Sequence, residues 1–341
     1  MQTANACADG VGEWFNATSD GWSCPFLLPV AYRFHCSDAP FRHFELQPGC
    51  QQKGPLRTSD VLGPNRTAFF LGDSLSAQHA IAFACRMLQE LSTSGSDRAR
   101  TVEMPRWSSF SPAWLAAAHP PHAAHTKHAA RAQAHCYVVN GRRACHASSW
   151  PTAQAVAERL IRSRNVVAGD IVIMNDGLHY GEAASLDIMR ELAVTFANTT
   201  SELEAARRGG IRFAWRETSP QAFGDLPNGS YVQAYRTYGR NYTQGCVPLE
   251  RTARPDSWAR GIAALAAADL DVVKVWHSTA SQWDQHLASR TPYVARTLDC
   301  THFCQPSGVM EEWVNATLRT FYAARPRYVG AREDPLGKAL R

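Results

Sequence analysis

The stretch Thr67-Ala68-Phe69-Phe70-Leu71 runs directly into Gly72-Asp73-Ser74, and from Ala77 to Leu91 apolar residues recur on one helical face at Ile81, Ala84, Cys85 and Leu88. The first run is apolar without alternation. A strand with no polar side must be covered on both faces. A chain containing one is therefore restricted to a sheet with helices packed above and below. Gly72 permits the tight turn between the two elements. Ser74 thus stands where a strand ends and a helix begins, among unpaired N–H groups at the positive end of a helix dipole. Two readings of it compete. Serine and aspartate are favoured helix caps. Equally, a serine there can be a nucleophile with part of an oxyanion hole already built by the Gly72-Asp73 turn.

The pattern recurs. Asp170-Ile171-Val172-Ile173-Met174 is a second uninterrupted apolar strand, and it delivers Asn175-Asp176-Gly177-Leu178-His179-Tyr180. Ile211 to Trp215 is the next strand, delivering Arg216-Glu217-Thr218-Ser219-Pro220, and Val272 to Trp276 is the last strand. Helical stretches lie between and after them: Ala153 to Ser163, Ala184 to Ala205 with an interruption near Asn198, Trp258 to Ala268, and Val309 to Tyr322. This alternation predicts a doubly wound α/β fold with a mostly parallel sheet. Ligands of such sheets sit at the carboxyl ends of the strands. Ser74, Asn175, His179 and Arg216 all fall at such ends. Cys136 and Cys145 bracket Asn140-Gly141, a hairpin signal that a local disulfide would close.

Near the other end of the chain stands Leu298-Asp299-Cys300-Thr301-His302-Phe303-Cys304. A single helical turn would bring Asp299 and His302 together. A carboxylate beside an imidazole fixes its tautomer and supports its protonated form. Ser74, His302 and Asp299 then supply nucleophile, base and orienter. The pair by itself reads equally as a surface contact.

The length, 341 residues, suits one large or two modest domains. The expected division is a Cys-rich N-terminal lobe at 1–66, a catalytic domain at 67–326 and a tail at 327–341. Gly54 to Arg66 reads as loop. Residues 119–146 form an inserted His/Ala-rich tract and hairpin; Pro120 and Pro121 break any helix there, and no metal site is expected. The net charge of +5 comes with no basic stripe, so nucleic acid is not an expected partner. Ten cysteines, none in Cys-x-x-Cys spacing, accompany sequons at Asn16, Asn65, Asn198, Asn228, Asn241 and Asn315. Together they favour an oxidising compartment of the secretory pathway. Met1 to Cys7 does not read as a signal peptide, and any membrane attachment is expected only through an anchor outside this sequence.

The Gly72-Asp73-Ser74 turn, Asn175 after a later strand and Asp299-x-x-His302 resemble the SGNH/GDSL hydrolase superfamily. Within it, the chain is similar to the trichome-birefringence-like polysaccharide O-acetyltransferases, the PC-esterase family. Cys24-Pro25-Phe26, Phe34-x-Cys36 and Gln47-Pro48-x-Cys50 resemble that family's N-terminal region. Phe70-Leu71-Gly72-Asp73-Ser74-Leu75-Ser76, the Asn175/His179 block, Arg216 to Phe223 and Asp299 to Cys304 resemble its later blocks. The chain departs from the family pattern at Ala222, where the family has His, at Phe303, where it has Trp, and at Gln305-Pro306-Ser307. Asp284-Gln285-His286 is a weak echo of a family Asp-Gly-His.

The resemblance implies an SGNH-like three-layer α/β/α sandwich and acetyl transfer onto a polysaccharide or glycan hydroxyl through acyl-Ser74. A carbohydrate esterase or a non-catalytic glycan-binding relative are the alternatives. No bound cofactor is implied; acetyl-CoA or another acetylated carrier would be the donor. Gly72, Asp73, Asn175, His179 and Arg216 would line the oxyanion hole or substrate site, and the Golgi lumen, or else the extracellular space, would be the location. The family pattern implies disulfides Cys7–Cys50, Cys24–Cys85, Cys36–Cys304 and Cys246–Cys300, leaving Cys136–Cys145 as the local fifth. The long loop Gly224 to Pro248 would then be tied beside Asp299 and His302, where Tyr231, Tyr235 and Tyr238 could offer ring faces to an acceptor sugar.

Overall fold

The strand Thr67–Gly72 (β3) has all six residues buried. In the computed structural model, which describes residues 12–16, 42–46, 55–93, 108–110, 134–148, 152–178, 180, 182–223, 246–249, 254–287, 299–305 and 307–323, β3 lies inside a seven-stranded sheet. It pairs in parallel with Arg142–Ser148 (β6) on one side and Ile171–Met174 (β7) on the other. β7 continues in parallel to Arg212–Arg216 (β8), and β8 to Asp271–Val273 (β9). Beyond β6 the sheet turns antiparallel, through Ala134–Val139 (β5) to Ser108–Phe110 (β4). A separate antiparallel pair, Gly12–Asn16 (β1) with Arg42–Leu46 (β2), stands in the N-terminal region.

Counted in chain order, the five parallel strands lie side by side as 2-1-3-4-5, with β3 as strand 1 and β7 as strand 3. The winding reverses between them. Neighbouring connections there leave in opposite directions, so a crevice opens at the carboxyl ends of β3 and β7.

The helices are Thr58–Val61 (α1), Ser74–Thr93 (α2), Ala153–Arg162 (α3), Glu182–Ala197 (α4), Glu202–Arg208 (α5), Asp256–Ala267 (α6), Trp276–Ala280 (α7) and Gly308–Ala323 (α8). Successive β3 side chains point to opposite layers. Ala68 and Phe70 join Ile81, Phe83 and Ala84 of α2 and Met310, Trp313 and Phe321 of α8. Phe69 and Leu71 join Val156 of α3, Met189 and Phe196 of α4, Leu203 of α5 and Leu265 of α6. The result is the expected α/β architecture, a mostly parallel sheet between two helical layers.

The interruption expected near Asn198 is there: α4 ends at Ala197, and Ser201 caps α5 by accepting from the Glu204 N–H at 3.1 Å. Other elements differ from the sequence reading. The strand expected to reach Trp276 ends at Val273. The buried Glu217 carboxylate accepts from the N–H groups of Val275 (2.9 Å) and Trp276 (2.8 Å), and that starts α7. Gly54 to Arg66 is more than loop: it holds α1, and Val61 and Leu62 belong to the main core. The boundary at residue 66 therefore cuts through packed structure. At the β5–β6 turn, Asn140 (φ 47°) and Gly141 (φ 75°) both take positive φ, as a two-residue hairpin requires. Cys136 and Cys145 face each other across it and form the local disulfide.

Candidate active site

β3 ends at Gly72 because nothing larger fits. A Cβ there would lie 2.4 Å from the Ser76 Oγ and 2.5 Å from the Asn175 carbonyl oxygen, and the residue has φ 155°. The cap of α2 is Asp73, not Ser74. Asp73 Oδ1 accepts from the N–H groups of Leu75 (2.9 Å) and Ser76 (3.3 Å), and its carbonyl oxygen accepts from Ser76 (3.0 Å) and Ala77 (3.2 Å). With the capping done by its neighbour, Ser74 is the first residue of α2 and its hydroxyl turns elsewhere.

That hydroxyl meets His302. Ser74 Oγ is 2.6 Å from His302 Nε2, and His302 Nδ1 is 2.7 Å from Asp299 Oδ2. Asp299 accepts a hydrogen bond from Nδ1–H, which keeps the proton on Nδ1 and leaves Nε2 as the acceptor for the serine hydroxyl. The expected helical turn at 299–302 is absent. Instead Asp299 Oδ1 accepts from the N–H groups of Thr301 (3.0 Å) and His302 (2.9 Å), a side-chain-closed turn that juxtaposes the same two groups. Burial pushes the Asp299 carboxyl up, but the His302 hydrogen bond and charge and the two N–H groups outweigh it and hold it at about 2. The carboxylate is thus ionised throughout the physiological range.

The loop that carries Asp299 and His302 is tied down on several sides. Cys300 is bonded to Cys246, as expected, with Cα atoms 5.3 Å apart. The Cys300 carbonyl accepts from Ala222 N–H at 3.1 Å, and Gln221 Nε2 donates to Thr301 Oγ1 at 3.0 Å. Across the loop, Leu287 N–H donates to the His302 carbonyl (3.0 Å) and Cys304 N–H to the Gln285 carbonyl (2.8 Å). The His286 ring stacks on Phe303 at 4.2 Å. Cys85 and Cys304 each take part in a further disulfide. Their expected partners Cys24 and Cys36, like the expected pair Cys7 and Cys50, lie outside the described residues.

Arg216 and Asn175 are close to this centre, but beneath it. Arg216 is fully buried, its Nη2 3.3 Å from Ser76 Oγ and 3.9 Å from Asp73 Oδ1, its guanidinium 4.5 Å above the Trp313 ring. Burial pulls its pKa down to about 10 against the pull of Asp73. Asn175 Nδ2 donates to the Arg216 carbonyl (2.9 Å) and Thr218 Oγ1 (3.1 Å). Both amide protons are spent inside the protein. The two side chains expected at the oxyanion or substrate therefore brace the ends of β3, β7 and β8. Asp73 braces likewise, with its side chain only 4% exposed. His179, Tyr231, Tyr235 and Tyr238 lie outside the described residues.

Sequence reasoning missed Glu217, which holds the Arg254 guanidinium besides starting α7. It also missed Gly177, where a Cβ would fall 1.5 Å from Thr218 Oγ1. The signal for both was their place in the strand-end blocks next to Asn175 and Arg216. Among the described residues no cluster of His, Cys, Asp or Glu is arranged to hold a metal ion, and no helix is long and apolar enough to cross a membrane. In comparisons with known proteins, no family model matches the chain, and no curated protein matches it.

Proposed function

We propose that the chain is a serine-dependent acyltransferase that moves an acetyl group onto a glycan hydroxyl. One observation carries this reading: Ser74 Oγ, His302 and Asp299 form a continuous hydrogen-bonded relay at 2.6 and 2.7 Å, at the switch point of the sheet. In the proposed cycle His302 Nε2 takes the Ser74 proton as Oγ attacks the donor's acetyl carbonyl. The oxyanion is met by the Ser74 N–H at the start of α2, where the helix dipole adds to the donor. The intermediate collapses, and the leaving group departs with the proton from His302. The acceptor hydroxyl then loses its proton to His302 and attacks acyl-Ser74. The second collapse returns that proton to Ser74 and releases the acetyl ester.

The choice of acetyl and glycan rests on the resemblance to the trichome-birefringence-like and SGNH proteins. The disulfides support synthesis in an oxidising compartment, for which the resemblance favours the Golgi lumen. The test is to incubate purified protein with acetyl-CoA or acetylated esters, with and without a panel of oligosaccharides. Acetylated sugar that disappears in Ser74→Ala is the expected result. Acetate release unaffected by any sugar assigns the protein to the esterases instead. An active Ser74→Ala variant would overturn the serine mechanism.

A further inference from the structure

One buried side chain joins the nucleophile and the base without touching either. Gln78 lies one helical turn after Ser74 on α2, on the same face, and is fully buried. Its Nε2 donates to the Phe303 carbonyl at 2.8 Å, and its Oε1 accepts from the Phe303 N–H at 3.2 Å. Phe303 is the residue directly after His302. The amide thus pairs both backbone groups of one residue, as a neighbouring strand would. The opposite edge of the same segment is taken by 285–287, through the His302 carbonyl and the Cys304 N–H. Gln305 Nε2 adds a third bond, to the Gln78 carbonyl, at 2.9 Å.

Resting on the reading above, we infer that Gln78 is a positioning residue for acyl transfer: it sets the Ser74–His302 distance. α2 places Ser74 and Gln78 at a fixed separation, one turn of rigid helix. The amide pair places Phe303 at a fixed separation from Gln78. His302, adjacent to Phe303, then has little freedom to move away from Ser74. Neither the Cys246–Cys300 bridge nor the 285–287 segment provides this link, because neither is attached to the nucleophile's helix.

The experiment measures the rate at which a fluorophosphonate labels Ser74, which needs base and nucleophile but no acceptor. Gln78→Met keeps the volume and removes both hydrogen bonds; labelling and kcat are expected to fall about 100-fold, the scale of a 1 Å misplacement, with KM nearly unchanged. In a His302→Ala background the same substitution is expected to add no further loss, because Gln78 acts only through His302. Gln78→Glu provides the conservative rescue. The protonated carboxyl can donate to the Phe303 carbonyl and accept from its N–H, so activity relative to wild type is highest at the acid end of the active range and falls as the buried acid ionises. The wild type shows no such fall. Folding of each variant is followed by thermal melting. Wild-type labelling matched by a folded Gln78→Met, or losses that multiply in the His302→Ala background, overturn the positioning role alone. Wild-type protein that never labels overturns the serine nucleophile and this inference with it.

Discussion

Asp73 and Ser74 divide two tasks that one residue type could do. Asp73 closes the helix end, which frees the Ser74 hydroxyl for His302. Asp73→Ala is expected to cost about 1 kcal/mol of stability in chemical denaturation, the usual value of a lost cap. It should also slow the proposed acyl transfer, because the first turn of α2 carries Ser74. Ser74→Ala and His302→Ala should each lower kcat by several orders of magnitude, and the double variant by little more, since the two act as one unit. Asp299 adds a pH signature. Its carboxyl titrates at about 2 when folded, below the 3.8 of an ordinary aspartate. The folded state therefore binds fewer protons there, and the stabilisation, about 2 kcal/mol, is complete above the ordinary value and lost as the pH falls towards 2. Asp299→Asn should flatten that acid limb in melts recorded from neutral to acid pH.

The elements differ in how much of them can be read from residue order. β3 and β7 are legible because burial on both faces leaves their runs apolar beyond Thr67 at the start of β3. The nucleophile turn is legible because only glycine fits the approach of Ser76 and Asn175 at position 72. α1 is not legible, since four residues are too few to show a helical period. α7 is not legible because Val272 to Trp276 reads as a β-prone stretch, and what ends the strand is a carboxylate from Glu217, far back in the chain. The Gln78–Phe303 pair joins residues 225 apart, and no local pattern announces it. The two disulfides with both partners among the described residues are also unequal. Cys246–Cys300 closes 54 residues and holds the loop of Asp299 and His302, so replacing both cysteines by serine should cost about 4 kcal/mol and most of the proposed activity. Cys136–Cys145 spans 9 residues at the β5–β6 hairpin; its loss should cost about 2.5 kcal/mol in melting experiments and leave kcat intact.

At the scale of the whole molecule, α8 closes the layer over Phe70 and α2. It does so while burying Glu312, whose carboxyl is pushed up to about 7 by burial against the opposing pull of Arg319. The folded state holds that proton more tightly, so stability declines as the pH rises from the ordinary value of 4.5 through 7. Glu312→Gln should remove this decline from denaturation midpoints measured across that interval. Two sequons also have unlike settings. Asn198 sits on an exposed turn with its Oδ1 accepting from Thr200, whereas the Thr317 hydroxyl of the Asn315 sequon is buried against Trp313 and His79. Peptide mapping of protein secreted from eukaryotic cells should find a glycan at Asn198 and none at Asn315. The placement of α8 has one more consequence, for the order of events on the ribosome. The strand at the centre of the sheet and the helix bearing Ser74 emerge early, but the helix that covers them and the loop that supplies His302 emerge some 230 residues later. At roughly 5–20 residues per second, the apolar side of that half-built sheet faces solvent for ten seconds or more. The nascent chain must be shielded through that interval, and under the proposed mechanism its Ser74 stays inert until His302 arrives.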